Sequence, residues 1–256
     1  MSTHISKSAL LLLFVSFLSC QSKETSKKKN TPVINEVKTT VIKPTKTITY
    51  GIDISRYQGD EVDILNKKKD SLSFIICKAT EGITYTDPKF HQNWQLISAK
   101  NFIKGAYHFY RCQDDPIKQA AHYLNTIQTF NNTDLPPIVD FEQGGIDASQ
   151  SVKQIQENLL IFLKEVERKL QRKPMIYTGF YIANEYLNTS EFSQYPLWIA
   201  DYTSQKQPMT PTTWKNKSWS FWQQKDTYRV DHMANDFDIF NGNLAQLKTF
   251  IKNNSN

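Results

Sequence analysis

Eight short apolar runs recur from residue 49 to the end of the chain, and most of them lack the strict polar alternation of a strand with one wet face. They are Tyr50–Ile54, Phe74–Lys78, Ile103–Phe109, Ile138–Glu142, Met175–Thr178, Leu197–Ala200, Ser218–Gln223 and Phe237–Phe240. Runs of this kind read as strands covered on both sides. Between the fourth and fifth, Ser151-Val152-Lys153-Gln154 has the pattern of a helix capping box. Leu159, Phe162, Leu163, Val166 and Leu170 follow at helical spacing, and Pro174 stops the helix before the next strand. Strands alternating with helices predict an α/β fold, a single TIM-like (β/α) barrel. The last three runs are too closely spaced for full helices between them, so the barrel is expected to be irregular in its last third.

The N-terminal part does not belong to this pattern. Lys7 precedes an apolar run from Ala9 to Leu18 that ends at Ser19-Cys20. Such a run is too short for a mature membrane span and reads as a secretory h-region, so residues 1–19 are expected to be a signal peptide. Phe17-Leu18-Ser19-Cys20 resembles a bacterial lipobox, with Phe17 where an aliphatic residue is usual. That resemblance makes Cys20 the lipidation site of an exported, membrane-anchored lipoprotein of the cell envelope, facing the periplasm or the surface. Residues 20–47 are rich in Lys, Thr and Ser and nearly free of aromatics, as expected of a flexible, disordered tether. The folded domain is then 48–256.

Charge follows the same division. Eight of the 31 Lys and Arg precede residue 48, but only Glu24 and Glu36 of the 25 acids do, which leaves 23 of each in the domain. The overall charge of +6 is therefore a property of the tether, and a nucleic-acid partner loses its electrostatic basis. The five histidines (4, 91, 108, 122, 232) show no metal-ligand spacing, and there is no Cys-x-x-Cys or Gly-rich phosphate loop. No metal and no cofactor are expected, and the domain is expected to be a monomer. Cys77 and Cys112 are compatible with either a disulfide or two buried thiols.

The chemistry concentrates in Ile138-Val139-Asp140-Phe141-Glu142. Strand alternation points Asp140 and Glu142 the same way and Val139 and Phe141 the other. Neighbouring carboxyls in an apolar setting resist double ionisation, so one pKa is raised while the other group stays charged, as acid-assisted acetal cleavage requires. In α/β barrels, chemistry gathers at the C-terminal strand ends. Those ends carry Asp53, Lys78, Tyr107-His108, Tyr177, Asp201-Tyr202, Gln223, Asp236 and Asp238, with Tyr57 and Trp198 close by. An acidic rim lined with aromatics suits a carbohydrate, because carboxylates act on the glycosidic oxygen and rings stack on sugar faces.

Seven motifs, in order across residues 49–243, resemble the glycoside hydrolase family 25 muramidases. They are Gly51-Ile52-Asp53-Ile54-Ser55-Arg56-Tyr57-Gln58-Gly59, Lys78-Ala79-Thr80-Glu81-Gly82, Gly105-Ala106-Tyr107-His108-Phe109, Leu135–Glu142, Pro174–Thr178, Tyr195–Ala200 and Phe240-Asn241-Gly242. The resemblance implies hydrolysis of the β-1,4 bond between N-acetylmuramic acid and N-acetylglucosamine in peptidoglycan glycan strands. It implies Glu142 as general acid, Asp140 ionised beside it, and Asp53 across the cleft. The family's Val-Asp-x-Asn-x-Phe-Asn-Gly, anchored on Phe240-Asn241-Gly242, aligns its aspartate with Asp236, while Asp238 falls on the usual asparagine. Asn235 falls on the usual valine, so either aspartate could face the cleft, with the alignment favouring Asp236. Tyr57, Tyr107, Tyr177, Trp198, Tyr202 and Asp238 are the candidate substrate-binding residues. Inverting, retaining and substrate-assisted routes remain open, because spacing along a chain does not set carboxylate separation. The alternative function is a non-catalytic peptidoglycan-binding barrel. A chitin-cleaving barrel is a further alternative, but the Asp-x-x-Asp-x-Asp-x-Glu pattern is absent before Glu142.

Overall fold

The computed structural model describes residues 48–58, 65, 71–230 and 233–254. The expected signal peptide, Cys20, the tether to residue 47, and Gly59 of the opening motif lie outside them.

Eight strands close into a barrel. β1 (Thr49–Ile54), β2 (Leu72–Glu81), β4 (Ile103–Phe109), β5 (Ile138–Asp140), β6 (Met175–Gly179), β7 (Leu197–Ala200) and β8 (Phe221–Val230) pair in parallel, each with the next. β9 (Met233–Phe240) closes the ring antiparallel to both β8 and β1. A two-residue β3 (Tyr85–Thr86) adds to the end of β2. Five helices are described: α1 (Phe90–Ala99), α2 (Pro116–Thr126), α3 (Val152–Leu170), α4 (Phe180–Tyr186) and α5 (Leu244–Asn253).

The irregularity falls where strand spacing predicts it. β8 ends at Val230 and β9 begins at Met233, a gap that allows only a hairpin, because a parallel return needs a crossover of a dozen or more residues. Both strands run longer than their apolar runs predict. Lys225, Asp226 and Thr227 are exposed, so this part of the ribbon carries no hydrophobic signal.

Alternation sorts the side chains into two layers. Ile52, Ile75, Cys77, Val139, Ile176 and Ile199 point outward and pack with Trp94 and Ile97 of α1, Tyr123 of α2, and Phe162, Leu163 and Val166 of α3. Phe74, Ile76, Ile138, Met175, Phe221 and Phe240 point inward and pack with Leu247 and Ile251 of α5. Burying a side chain of this size is worth roughly 1.5–3 kcal/mol. Gly51 is required by this inner layer, since a Cβ there would lie 2.3 Å from the Phe74 ring.

Local signals set the helix ends. Ser151 Oγ accepts from Gln154 N at 3.2 Å, and the left-handed Gln171 (φ 53°) terminates α3. Asn243 and Gln246 form a reciprocal capping box on α5. Cys77 and Cys112 are buried free thiols, so the disulfide is not formed. His108, expected on the rim, faces the helix layer instead. Thr80 Oγ1 and Gln119 Oε1 contact its ring nitrogens at 2.8 and 3.1 Å, and burial lowers its pKa to about 3, which keeps it neutral.

Candidate active site

The inner layer is apolar at one end of the barrel and acidic at the other. β1 carries Asp53 as its last residue but one, and β5 ends in Asp140. The chain remains extended at Glu142 (φ −142°, ψ 174°), with Phe141 N bonded to Tyr177 O at 2.9 Å. Alternation therefore persists past the end of β5. Asp140 and Glu142 share the inner face, while Phe141 is buried among Tyr110 and Tyr186.

β9 runs the other way, so its N-terminal half reaches the end where the parallel strands finish. Asp236 pairs with Asp53 across the β1–β9 ladder, and Asp238 pairs with Gly51, one layer deeper. The strand direction answers which aspartate meets the cleft. Asp236 lines it, and Asp238 is wholly buried, accepting the Trp198 indole N–H at 2.9 Å.

Asp53, Asp140, Glu142 and Asp236 surround one pocket of about 200 Å³. Tyr107 of β4, Tyr177 of β6, Trp198 of β7, Tyr202 just after β7, and Gln223 of β8 complete its wall. Of the residues singled out for substrate binding, Tyr57 lies outside this lining, 74% exposed beneath the Arg56 guanidinium, and Asp238 lies behind it.

Burial dominates the electrostatics. It raises Asp140 well above the usual carboxylate range, Glu142 adds repulsion, and the Lys78 ammonium works the other way. Glu142 is raised by the same loss of water and is held back by Lys78 and Arg111. Asp236 rises to about 6, from burial and then from Asp226 and Glu142. Asp53 is raised by burial and by Asp236, against a hydrogen bond from Gln223. Asp238 is raised by burial and by the charges of Asp53 and Asp236, and its Oδ2 has no hydrogen-bond partner.

This differs from the expectation that Asp140 simply stays ionised beside a protonated Glu142. Asp140 is the more buried of the two, and its Oδ1 has no hydrogen-bond partner. Burial thus favours a proton on Asp140 as well as on Glu142. A donor reaching Oδ1 would reverse that preference at Asp140.

A charged cluster to which the sequence assigns no role stands beside Glu142. Lys78 Nζ contacts Glu81 Oε2 at 2.6 Å, Arg111 pairs with Glu81, and Arg111 Nη1 donates to Gly144 O at 2.5 Å. Lys78 and Glu81 stand in a quoted motif. Arg111 stands in none, and only the β2–β4 pairing brings it to them. Gln223 appears in the sequence only as a polar strand end without a role.

Barrel and cleft together define a class: an α/β-barrel glycoside hydrolase, with carboxyl groups converging on a pocket walled by aromatic rings. The chain belongs to the glycosyl hydrolases family 25, whose profile matches residues 52–233. The uncharacterized protein YegX of Escherichia coli K12 is 34% identical over 217 residues, covering 81% of this chain and 75% of YegX. An N,O-diacetylmuramidase of Arthroderma benhamiae is 32% identical over 214 residues, covering 79% of this chain and 86% of the enzyme. Among solved structures, the bacterial lysozyme from Streptomyces coelicolor superposes with a TM-score of 0.73 at 27% identity, covering 82% of this chain and 99% of that one.

Proposed function

We propose that this enzyme cleaves the β-1,4 bond between N-acetylmuramic acid and N-acetylglucosamine in peptidoglycan. Glu142 acts as the general acid on the leaving oxygen. Asp53 and Asp236 face it across the cleft and stabilise positive charge at the sugar carbon, while Tyr107, Tyr177, Trp198 and Tyr202 carry the rings. Asp140 Oδ1 takes a donor from the substrate, for which the acetamido N–H has the right chemistry. That bond stabilises Asp140 as an anion and leaves the pair's proton on Glu142, which needs it for catalysis.

The observation that carries this reading is the Asp140–Glu142 pair, two carboxyls on one inner face, both raised by burial, in a pocket with two more acids. The lysozyme and muramidase names of the relatives supply the substrate. The same proposal extends to the chain's N-terminal part: export, a lipid on Cys20, a tether to residue 47, and a monomeric domain from residue 48.

The test is digestion of insoluble peptidoglycan by residues 48–256, with Glu142→Gln alongside, followed by borohydride reduction and mass spectrometry. Reduced muramic acid from the wild type alone supports the linkage and the acid together. Reduced glucosamine means the bond is wrong. Retention on the wall pellet without products means a binding module. Incorporation of labelled fatty acid into the full chain, abolished in Cys20→Ala, tests the anchor.

A further inference from the structure

Gln223 has no acid–base chemistry of its own, yet its side-chain amide is held at both ends. The hydroxyls of Tyr177 and Tyr202 donate to Oε1 at 2.8 and 2.6 Å, and Nε2 donates to Asp53 Oδ2 at 2.7 Å. The two ends are not interchangeable, because an amide oxygen only accepts and an amide nitrogen only donates. An ionised Asp53 accepts only, so it demands the N–H end. With that end committed, Oε1 needs two donors, and the phenols supply them. Both phenols keep their protons at neutral pH, since burial raises them above their ordinary value. Turned over, the amide would present its oxygen to Asp53, a contact that requires a proton on Asp53. The orientation of Gln223 and the ionisation of Asp53 are therefore one equilibrium, and the two phenols bias it, because a phenol hydroxyl donates more readily than its oxygen accepts.

We propose that Gln223 is a positioning residue whose phenol-anchored amide keeps Asp53 the charged, hydrogen-bond-accepting member of the carboxyl cluster, leaving the cluster's protons on its other members. This rests on the reading of Asp53 as a working carboxylate. The need for such a device follows from what faces Asp53. Asp236 and Asp238 come from β9, Asp140 and Glu142 from the end of β5, and Tyr107, Tyr177 and Tyr202 from the wall. Every one of these is an acid or a phenol, and charge on Asp236 and Glu142 presses a proton onto Asp53. The Gln223 N–H is the strongest opposing influence. A charged Asp53 is what the cleft needs opposite Glu142, where an anion stabilises the developing sugar cation.

The experiment is a carboxyl-carbon NMR titration of aspartate-labelled protein, with Asp53→Asn as the assignment control, in wild type, Gln223→Met and Tyr202→Phe. Gln223→Met keeps the side-chain volume and removes both contacts. Tyr202→Phe removes one anchor from a side chain that is 56% exposed, so its fold is not at risk. The midpoint of Asp53 should rise by about one unit or more in Gln223→Met, and by less in Tyr202→Phe. A midpoint that fails to rise in Gln223→Met overturns the proposal. If that variant does not fold, an unmoved midpoint in Tyr202→Phe does the same. The pH profile of kcat/KM on peptidoglycan is the second readout. Because Asp53 must be charged, its acid limb should move upward with the midpoint, so the loss is about tenfold on the acid side and shrinks as pH rises. The titration needs no substrate and decides the role of Gln223. A risen midpoint with an unmoved acid limb instead sinks the assignment of Asp53.

Discussion

Replacing Asp236 with asparagine should make the protein more stable at neutral pH and nearly inactive. Asp236 titrates near 6 in the folded protein against an ordinary value of 3.8, so it keeps its proton across a window in which the unfolded chain loses it. The native state is then penalised as pH rises from about 4 to 6, and the full penalty persists above 6. Roughly two pKa units at 1.36 kcal/mol each give an upper bound of about 3 kcal/mol. Partial exposure brings this closer to 2 kcal/mol. An amide of nearly the same size removes the charge. For a domain of this size, about 2 kcal/mol corresponds to a Tm rise on the order of 4–8 °C. The assay is thermal unfolding of wild type and Asp236→Asn at pH 4 and pH 7, with turnover on peptidoglycan alongside. The gain should be present at pH 7 and largely gone at pH 4, where the folded carboxyl is protonated and the unfolded one is only partly ionised. An equal gain at both pH values, or none at pH 7, would refute the reasoning, because neither depends on ionising a buried acid.

Glu142→Gln keeps the shape of the acid but removes its proton, and should lower kcat by roughly 10²–10⁴-fold without loss of thermal stability. Asp238→Asn should retain activity within a few-fold on the same assay, since an asparagine oxygen can accept the Trp198 indole N–H as Asp238 Oδ1 does. Gly51→Ala should destabilise by about 1–3 kcal/mol in denaturant unfolding, because its Cβ meets the Phe74 ring in the packed inner layer. Tyr57→Ala, outside the pocket lining, should leave kcat unchanged, and a loss comparable to that of Glu142→Gln would return Tyr57 to the site.

Much of this protein is legible one strand at a time. Short apolar runs separated by helical stretches specify a mainly parallel α/β sheet, because only burial on both faces accommodates them. Strand periodicity alone puts Asp140 and Glu142 on one face and Phe141 on the other, and the structure has that arrangement. The opening Gly-Ile-Asp is legible as a motif, and its glycine becomes intelligible as the space that Phe74 occupies.

What the sequence left open depends on neighbours far apart in the chain. Asp236 and Asp238 have the same parity, and only the reversed direction of β9 decides that one lines the pocket while the other lies beneath it. Gln223 is 170 residues from Asp53, and nothing near either position announces their 2.7 Å contact. Arg111 reaches Glu81 only because β4 lies beside β2. The protonation of the acids was the hardest to read, since it depends on how much water each carboxyl loses when the barrel closes. Chain order determines which groups a strand presents and to which side. Closure of the barrel decides which of them meet, and how costly their charges become.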